Sequence, residues 1–283
     1  MKFIKPFLIF LFILCLSAFL APWIFELTSF KFERILSRLV MILSLGAIFF
    51  ARIRLRDLEK YGLIFEKGSV RFLSEGFVIG FLTLALLTSL EILLGGRQIN
   101  ANWDPAWKVL FKTTEYFFAS LLIGVTEEFF FRGFVYAQLK SKWSTAGSLV
   151  AANLIYAALH FFKGGRHPIP QHPTFMDSFK AMLHLADPLL HPLHLGPHLL
   201  GLFIFGCVLS YCFLKTRSLF LSIGIHAGSV FLLKIDNWFI ASVPNTFTLL
   251  FGDKNLHSGI LGWCFLGLLF LFLRRRYSQS PTL

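Results

Sequence analysis

Three polar islands interrupt an otherwise apolar chain, and between them they hold the residue types that hydrolysis needs. The first is Glu127-Glu128-Phe129-Phe130-Phe131-Arg132. The second ends at His160 in Leu154-Ile155-Tyr156-Ala157-Ala158-Leu159-His160, and the third centres on His226 in Ser222-Ile223-Gly224-Ile225-His226-Ala227-Gly228. An ionisable side chain inside a spanning stretch costs several kcal/mol, so such groups mark functional interiors. Glu128 and Arg132 stand four residues apart with the acid first, the favourable direction for a helical ion pair. Glu127 points about 100° away around the same helix. The spacing therefore predicts that Glu128 is locked by Arg132 while Glu127 turns towards the histidines. A glutamate with one or two histidines can activate water as a general base and stabilise the oxyanion that results. The same set can hold a divalent metal such as zinc through carboxylate oxygen and imidazole nitrogen. Neither HExxH nor GxSxG occurs, so the single-helix zinc motif and the nucleophilic serine elbow are absent. On the residues alone the site is a buried Glu/His set, hydrolytic or ion-conducting.

The elements that must position these residues are membrane helices. Of the 283 residues, 56% are hydrophobic and 15% charged, with 36 phenylalanines. A soluble chain is nearer a quarter charged, and the expected fold class is an all-α, polytopic transmembrane bundle of about eight helices. A span needs roughly 20 predominantly apolar residues. Segments that meet or approach this are Phe7–Phe25, Ile35–Phe50, Phe72–Leu94, Trp107–Leu139, Trp143–Phe162, Leu193–Leu214, Ser218–Leu233 and Leu256–Leu273. The first is read as an uncleaved helix, because it is too long for a signal h-region and no small-x-small cleavage site follows. The fourth is unusual, since its uncharged stretch Tyr116–Thr126 is short and runs into Glu127, Glu128 and Arg132.

The formal charge of +12 does not point to nucleic acid, because the basic residues flank apolar stretches instead of interleaving with aromatics. Lys and Arg are richer at the N-terminus, around Arg52–Arg71, at Lys140 and Lys142, at Lys215 and Arg217, and in Arg274–Arg276. That distribution predicts both termini on the cytoplasmic side. Cys15, Cys207, Cys212 and Cys264 lie in apolar stretches without CxxC spacing and read as packed thiols. The connection 163–192 carries His167, His172, His184 and His191, with His194 and His198 just after. Its prolines predict an extended loop, and its spacing matches no fixed metal pattern. The chain divides into N-terminal helices (1–106), a catalytic core (107–238) with this His-rich loop, and a C-terminal helix with a basic tail (239–283).

The ordered motifs resemble those of the CAAX prenyl endopeptidase, bacteriocin-processing and immunity family, which includes the bacterial lysostaphin-resistance-like branch. EExxxR is met by Glu127, Glu128 and Arg132. An aromatic followed by xxxH is met by Tyr156 and His160, with tyrosine in place of the usual phenylalanine. The third motif, a histidine after a small-and-apolar stretch, is similar to Leu219–Gly228 with His226. The resemblance covers roughly Tyr116 to Leu233. It implies an intramembrane endopeptidase in which Glu127 activates water with help from His160, His226 polarises the scissile carbonyl, and Glu128 and Arg132 shape the site. It implies a hydrophobic or lipid-attached peptide substrate, a multi-pass location in membrane lipid, expected to be the bacterial inner membrane, and no nucleic acid. Zinc stays open as a cofactor. One departure stands out: where the family's third motif often carries an asparagine, this chain has Val230, with Ser229 or Asn153 as substitute donors and Asn237 as a more distant one. The alternatives from other classes are a catalytically inactive scaffold or immunity-type protein, and a proton-relay transporter.

Overall fold

The computed structural model describes residues 4–28, 31–52, 55–100, 104–161, 169–184, 187, 192–243, 247–252 and 258–277. His167 and His191 of the His-rich stretch lie outside the described residues. The architecture is helical: α1 (Ile4–Leu27), α2 (Phe32–Arg52), α3 (Ser69–Leu93), α4 (Ala106–Glu128), α5 (Tyr136–Lys140), α6 (Thr145–Leu159), α7 (Phe175–Leu183), α8 (Pro192–Thr216), α9 (Phe220–Phe239), α10 (Thr248–Phe251) and α11 (Ile260–Tyr277). Among the described residues, each of the eight apolar segments overlaps one helix or, for the fourth, a continuous run through α4 and α5. Four stretches among the described residues are long and apolar enough to cross a membrane: Leu8–Leu27, Ser69–Leu93, Ala106–Lys140 and Leu195–Thr216. The bundle is the solution that lipid imposes, because an α-helix satisfies its own backbone polar groups.

The chain forms two compact units. One comprises Met1–Asp57 with Ala158–Gly196, the other Leu58–Ala157 with Pro197–Leu283. In the first, α1, α2 and α7 pack around Ala21, Phe32, Ile35, Leu36 and Ala181. Helix α7 corrects the extended loop expected here. Thr174 forms a capping box with Asp177, its side chain accepting from the Asp177 backbone while that carboxylate accepts from Thr174 N–H. This satisfies the first-turn donors, and the apolar side chains that follow supply a face to bury. Prolines flank this helix without entering it. His172 lies 3.5 Å from Glu26 and His184 2.7 Å from Asp187, so these histidines of the stretch pair with carboxylates.

The second unit is organised by α3 and α9. Gly76 and Gly80 on α3 face Gly224 and Gly228 on α9, and a Cβ on any of them would collide with backbone of the opposite helix. Two small-xxx-small faces therefore meet, the pattern that lets membrane helices approach backbone to backbone. Below the seam lies a core of Val208, Leu209, Cys212, Leu221, Ile225, Leu269 and Leu273. Towards the C-terminal end of α9, Thr88 donates to Asp236 at 2.6 Å, and Arg97 pairs with the buried Glu91. Arg97 opens a three-residue strand β1 (Arg97–Ile99), antiparallel to β2 (Ile240–Ser242). This pair is the only sheet among the described residues.

Candidate active site

Helix α4 reaches α9 closely because Gly124 faces it: a Cβ there would stand 3.0 Å from the Ile223 carbonyl oxygen. One turn on, α4 ends at Glu128 and passes into a π-helical segment, Phe129–Val135. Such wide turns appear mostly at functional sites. Here it carries Arg132 and Gly133, and Gly133 is required because a Cβ would meet the Tyr61 carbonyl oxygen at 2.9 Å. The local sequence thus sets two carboxylates and a guanidinium beside the glycine-rich middle of α9, where His226 projects.

Glu128 is fully buried, Arg132 is 1% exposed and His226 is 2% exposed. Arg132 Nη1 donates to Glu128 Oε1 at 2.7 Å, the ion pair that the i,i+4 spacing predicts. His226 Nδ1 lies 2.7 Å from the same oxygen. The other ring nitrogen, Nε2, faces Glu127 Oε2 at 3.8 Å. Both glutamates therefore meet one imidazole. The helical argument that assigned them separate partners holds for Arg132, which selects Glu128. It misses the histidine, whose two nitrogens lie on opposite edges of a flat ring and span two neighbouring carboxylates. Glu128 Oε1 already accepts from Arg132, so Nδ1 is assigned as the nitrogen that donates to it, which leaves Nε2 as the nitrogen presented to Glu127. A separation of 3.8 Å is too long for a direct hydrogen bond and suits a shared water.

Arg132 is itself anchored. Its Nη2 donates to the Gly206 carbonyl at 3.3 Å and to Asn153 Oδ1 at 3.5 Å. Its guanidinium carbon stands 4.4 Å from the centroid of the Tyr156 ring. Asn153 Oδ1 also accepts from Ser210 at 3.1 Å, while Asn153 Nδ2 donates to the Cys207 sulfur at 3.6 Å. A Cβ at Gly206 would sit 2.8 Å from Asn153 Oδ1 and 3.2 Å from Arg132 Nη2. Gly206 and Ser210 are site residues that the sequence reading missed, and the only signal for them was a glycine and a serine within an apolar span. Tyr156 and Phe205 place their rings edge-on to His226, with centroids 6.2 and 5.7 Å away.

The other expected residues lie as follows. Asn153, at 1% exposure, belongs to the Arg132 network. Ser229 donates to the Gly80 carbonyl at 3.5 Å across the α3–α9 seam. Asn237 is exposed and donates to its own helix at Leu233. His160 is half-buried in the turn that follows α6 and falls in the first compact unit, whereas Glu127, Glu128 and His226 belong to the second.

Comparison with known proteins adds the family. Residues 109–232 match the family model described as type II CAAX prenyl endopeptidase Rce1-like, so this part of the chain is similar to that family. The matched span holds α6, all but the first turn of α4, the π-helical segment, α8 and most of α9, and with them every side chain of the Glu128–His226 cluster. No curated protein and no solved structure matches the chain.

Proposed function

We propose, from the premise of an Rce1-like segment at residues 109–232, that the chain hydrolyses a peptide bond in a membrane-associated, prenylated C-terminal peptide, using a water activated by Glu127. The observation that carries this reading is the His226 ring held between two carboxylates, one fixed by Arg132 and the other at a water's distance from Nε2. Glu127 takes the proton of the water as it attacks the carbonyl carbon. Glu128, held by Arg132, fixes the orientation and tautomer of His226. Through Nε2, His226 accepts a hydrogen bond from the water, and Glu127 then passes the proton it took to the leaving amine.

Among the described residues no three His, Cys, Asp or Glu side chains are grouped to hold a metal ion, so a zinc at this site would have only Glu127 and His226 Nε2 as donors. In that arrangement Glu128 on Nδ1 would be the outer carboxylate that orients a metal-bound histidine. A bound zinc would lower the pKa of the attacking water. We favour the metal-free form, in which Glu127 takes and returns the proton while His226 Nε2 orients the water.

The test is hydrolysis of an S-farnesylated, quenched-fluorescent peptide ending in Cys-aliphatic-aliphatic-X by the purified full chain in liposomes. The expected products are the farnesyl-cysteine peptide and a released tripeptide, with one oxygen from labelled water in the new carboxyl group. Activity retained after o-phenanthroline treatment and exhaustive dialysis supports the metal-free form. Loss restored by zinc alone supports the metal form. No cleavage of this peptide or of a library of membrane-bound peptides would overturn the reading.

A further inference from the structure

The N-terminal end of α3 and the C-terminal end of α11 meet in the second unit, at residues that the steps above do not use. Between them lies a cavity of about 450 Å³ lined by Gly68, Arg71, Phe72, Glu75, Arg276 and Tyr277. One carboxylate gathers its polar groups. Glu75 Oε1 accepts from Arg71 Nε at 2.7 Å, while Oε2 accepts from the Tyr277 hydroxyl at 3.0 Å and stands 3.2 Å from Arg276 Nη2. The apolar wall belongs to the core of the unit, with the Phe72 and Tyr277 ring centroids 6.3 Å apart. Arg71 keeps 77% of its side chain exposed and Arg276 44%, and ion pairs so open to water add little to stability. Their effect is to hold two guanidinium groups from different helices beside one cavity.

Two guanidiniums and one carboxylate give that lining one net positive charge. A guanidinium carries five N–H donors, more than one carboxylate oxygen can take. A phosphodiester brings one negative charge and oxygens that match the guanidinium fork. The position of the cavity along the helices narrows the ligand further. The apolar run of α11 ends at Arg274-Arg275-Arg276, and the apolar span of α3 begins at Ser69. From the cavity towards the middle of each helix, the same stripes continue as exposed apolar side chains. Phe272 and Leu268 stand four and eight residues before Arg276, and Val78 and Leu82 stand seven and eleven after Arg71. A cationic cavity that heads two exposed apolar stripes fits a molecule with an anionic head and a hydrocarbon tail. A soluble phosphate would use only the first of these features.

We propose that this cavity binds the phosphodiester headgroup of an anionic phospholipid, with Arg71 and Arg276 holding the phosphate and the α3 and α11 stripes lying along its acyl chains. Glu75 offsets the repulsion between the two cations. A bound lipid ties α3 to α11, and because it binds the folded chain it stabilises that chain by linkage. The proposal does not depend on the hydrolase reading.

The test is the unfolding temperature of the purified full chain in a neutral detergent, titrated with dioleoyl-phosphatidylglycerol, dioleoyl-phosphatidylcholine or inorganic phosphate, with retained lipid read by native mass spectrometry. The expected result is a rise, and lipid retention, with phosphatidylglycerol alone. Arg71→Gln and, separately, Arg276→Gln should each weaken phosphatidylglycerol binding about fivefold. Lys140→Gln, which removes an exposed charge elsewhere in the same unit, should leave it unchanged. Equal weakening by Lys140→Gln would overturn the proposal, because any positive surface would then serve. So would equal protection by phosphatidylcholine, or by inorganic phosphate, which would make this a site for a free anion. No rise with phosphatidylglycerol would overturn it as well. If Arg276→Gln unfolds early without lipid, through loss of its tie to Glu75, the mostly exposed Arg71 decides: a folded Arg71→Gln chain that binds phosphatidylglycerol as the wild type does would refute the site.

Discussion

Helix α9 enters two buried charge clusters, one through His226 and one through Asp236, and they are built differently. At the His226 end, one Glu128 oxygen takes both Arg132 and the imidazole, and the second ring nitrogen faces another carboxylate at 3.8 Å. At the Asp236 end, Arg97 pairs directly with Glu91 and Thr88 bonds Asp236, beside the β1–β2 pair. Both clusters are buried, and both pair their charges as an apolar interior requires. Burial of charge therefore does not by itself mark chemistry. The difference is the histidine, whose second ring nitrogen stands 3.8 Å from a second acid, an arrangement that the Asp236 cluster does not have. The Asp236 cluster is read as a structural tie between α3, α9 and the strand pair.

Substitutions can break that comparison. The largest expected effect is on folding: Arg132→Ala and Arg97→Ala each strand a buried carboxylate, and each should cost roughly 3–5 kcal/mol if its surroundings are dry. Yield and unfolding temperature in detergent should fall in both. Only Arg97→Ala should keep wild-type turnover in the fraction that folds, and equal loss of specific activity in the two would erase the distinction. Gly228→Ala acts on the seam between the clusters, where a Cβ would strike the Phe77 carbonyl. It should cost about 1–3 kcal/mol by overpacking, read as a lower unfolding temperature, whereas alanine at Gly46, where a Cβ would meet nothing within 4 Å, should change little. The smallest effect belongs to Thr88→Val. Removing one hydrogen bond to Asp236 should cost about 1 kcal/mol and leave kcat unchanged, and a large drop in kcat would bring the Asp236 cluster into the mechanism.

Much of this was legible in the residues. Long apolar runs are read reliably because lipid allows few alternatives, and each of the eight runs is helical. The EExxxR spacing gave the Glu128–Arg132 pair, since i,i+4 contact is a local property of a helix. The expected family span, Tyr116 to Leu233, lies close to the matched 109–232. What stayed hidden depends on contacts between helices. That one imidazole reaches both glutamates follows from the close approach of α4 and α9 at Gly124, which no single helix reveals. Gly206 and Ser210 looked like ordinary small residues of a span until α8 was placed against Asn153 and Arg132. Helix α7 was missed because proline and histidine density outweighed the Thr174–Asp177 capping signal.

The most direct measurement of the central claim is single-turnover cleavage of the farnesylated peptide by Glu127→Gln beside the wild type, each reconstituted in liposomes after its unfolding temperature is recorded. The glutamine keeps the shape of the side chain and removes the base, so the account predicts a loss of about 10²–10⁴-fold in rate with an unchanged unfolding temperature. A folded Glu127→Gln chain that cleaves at the wild-type rate would contradict it.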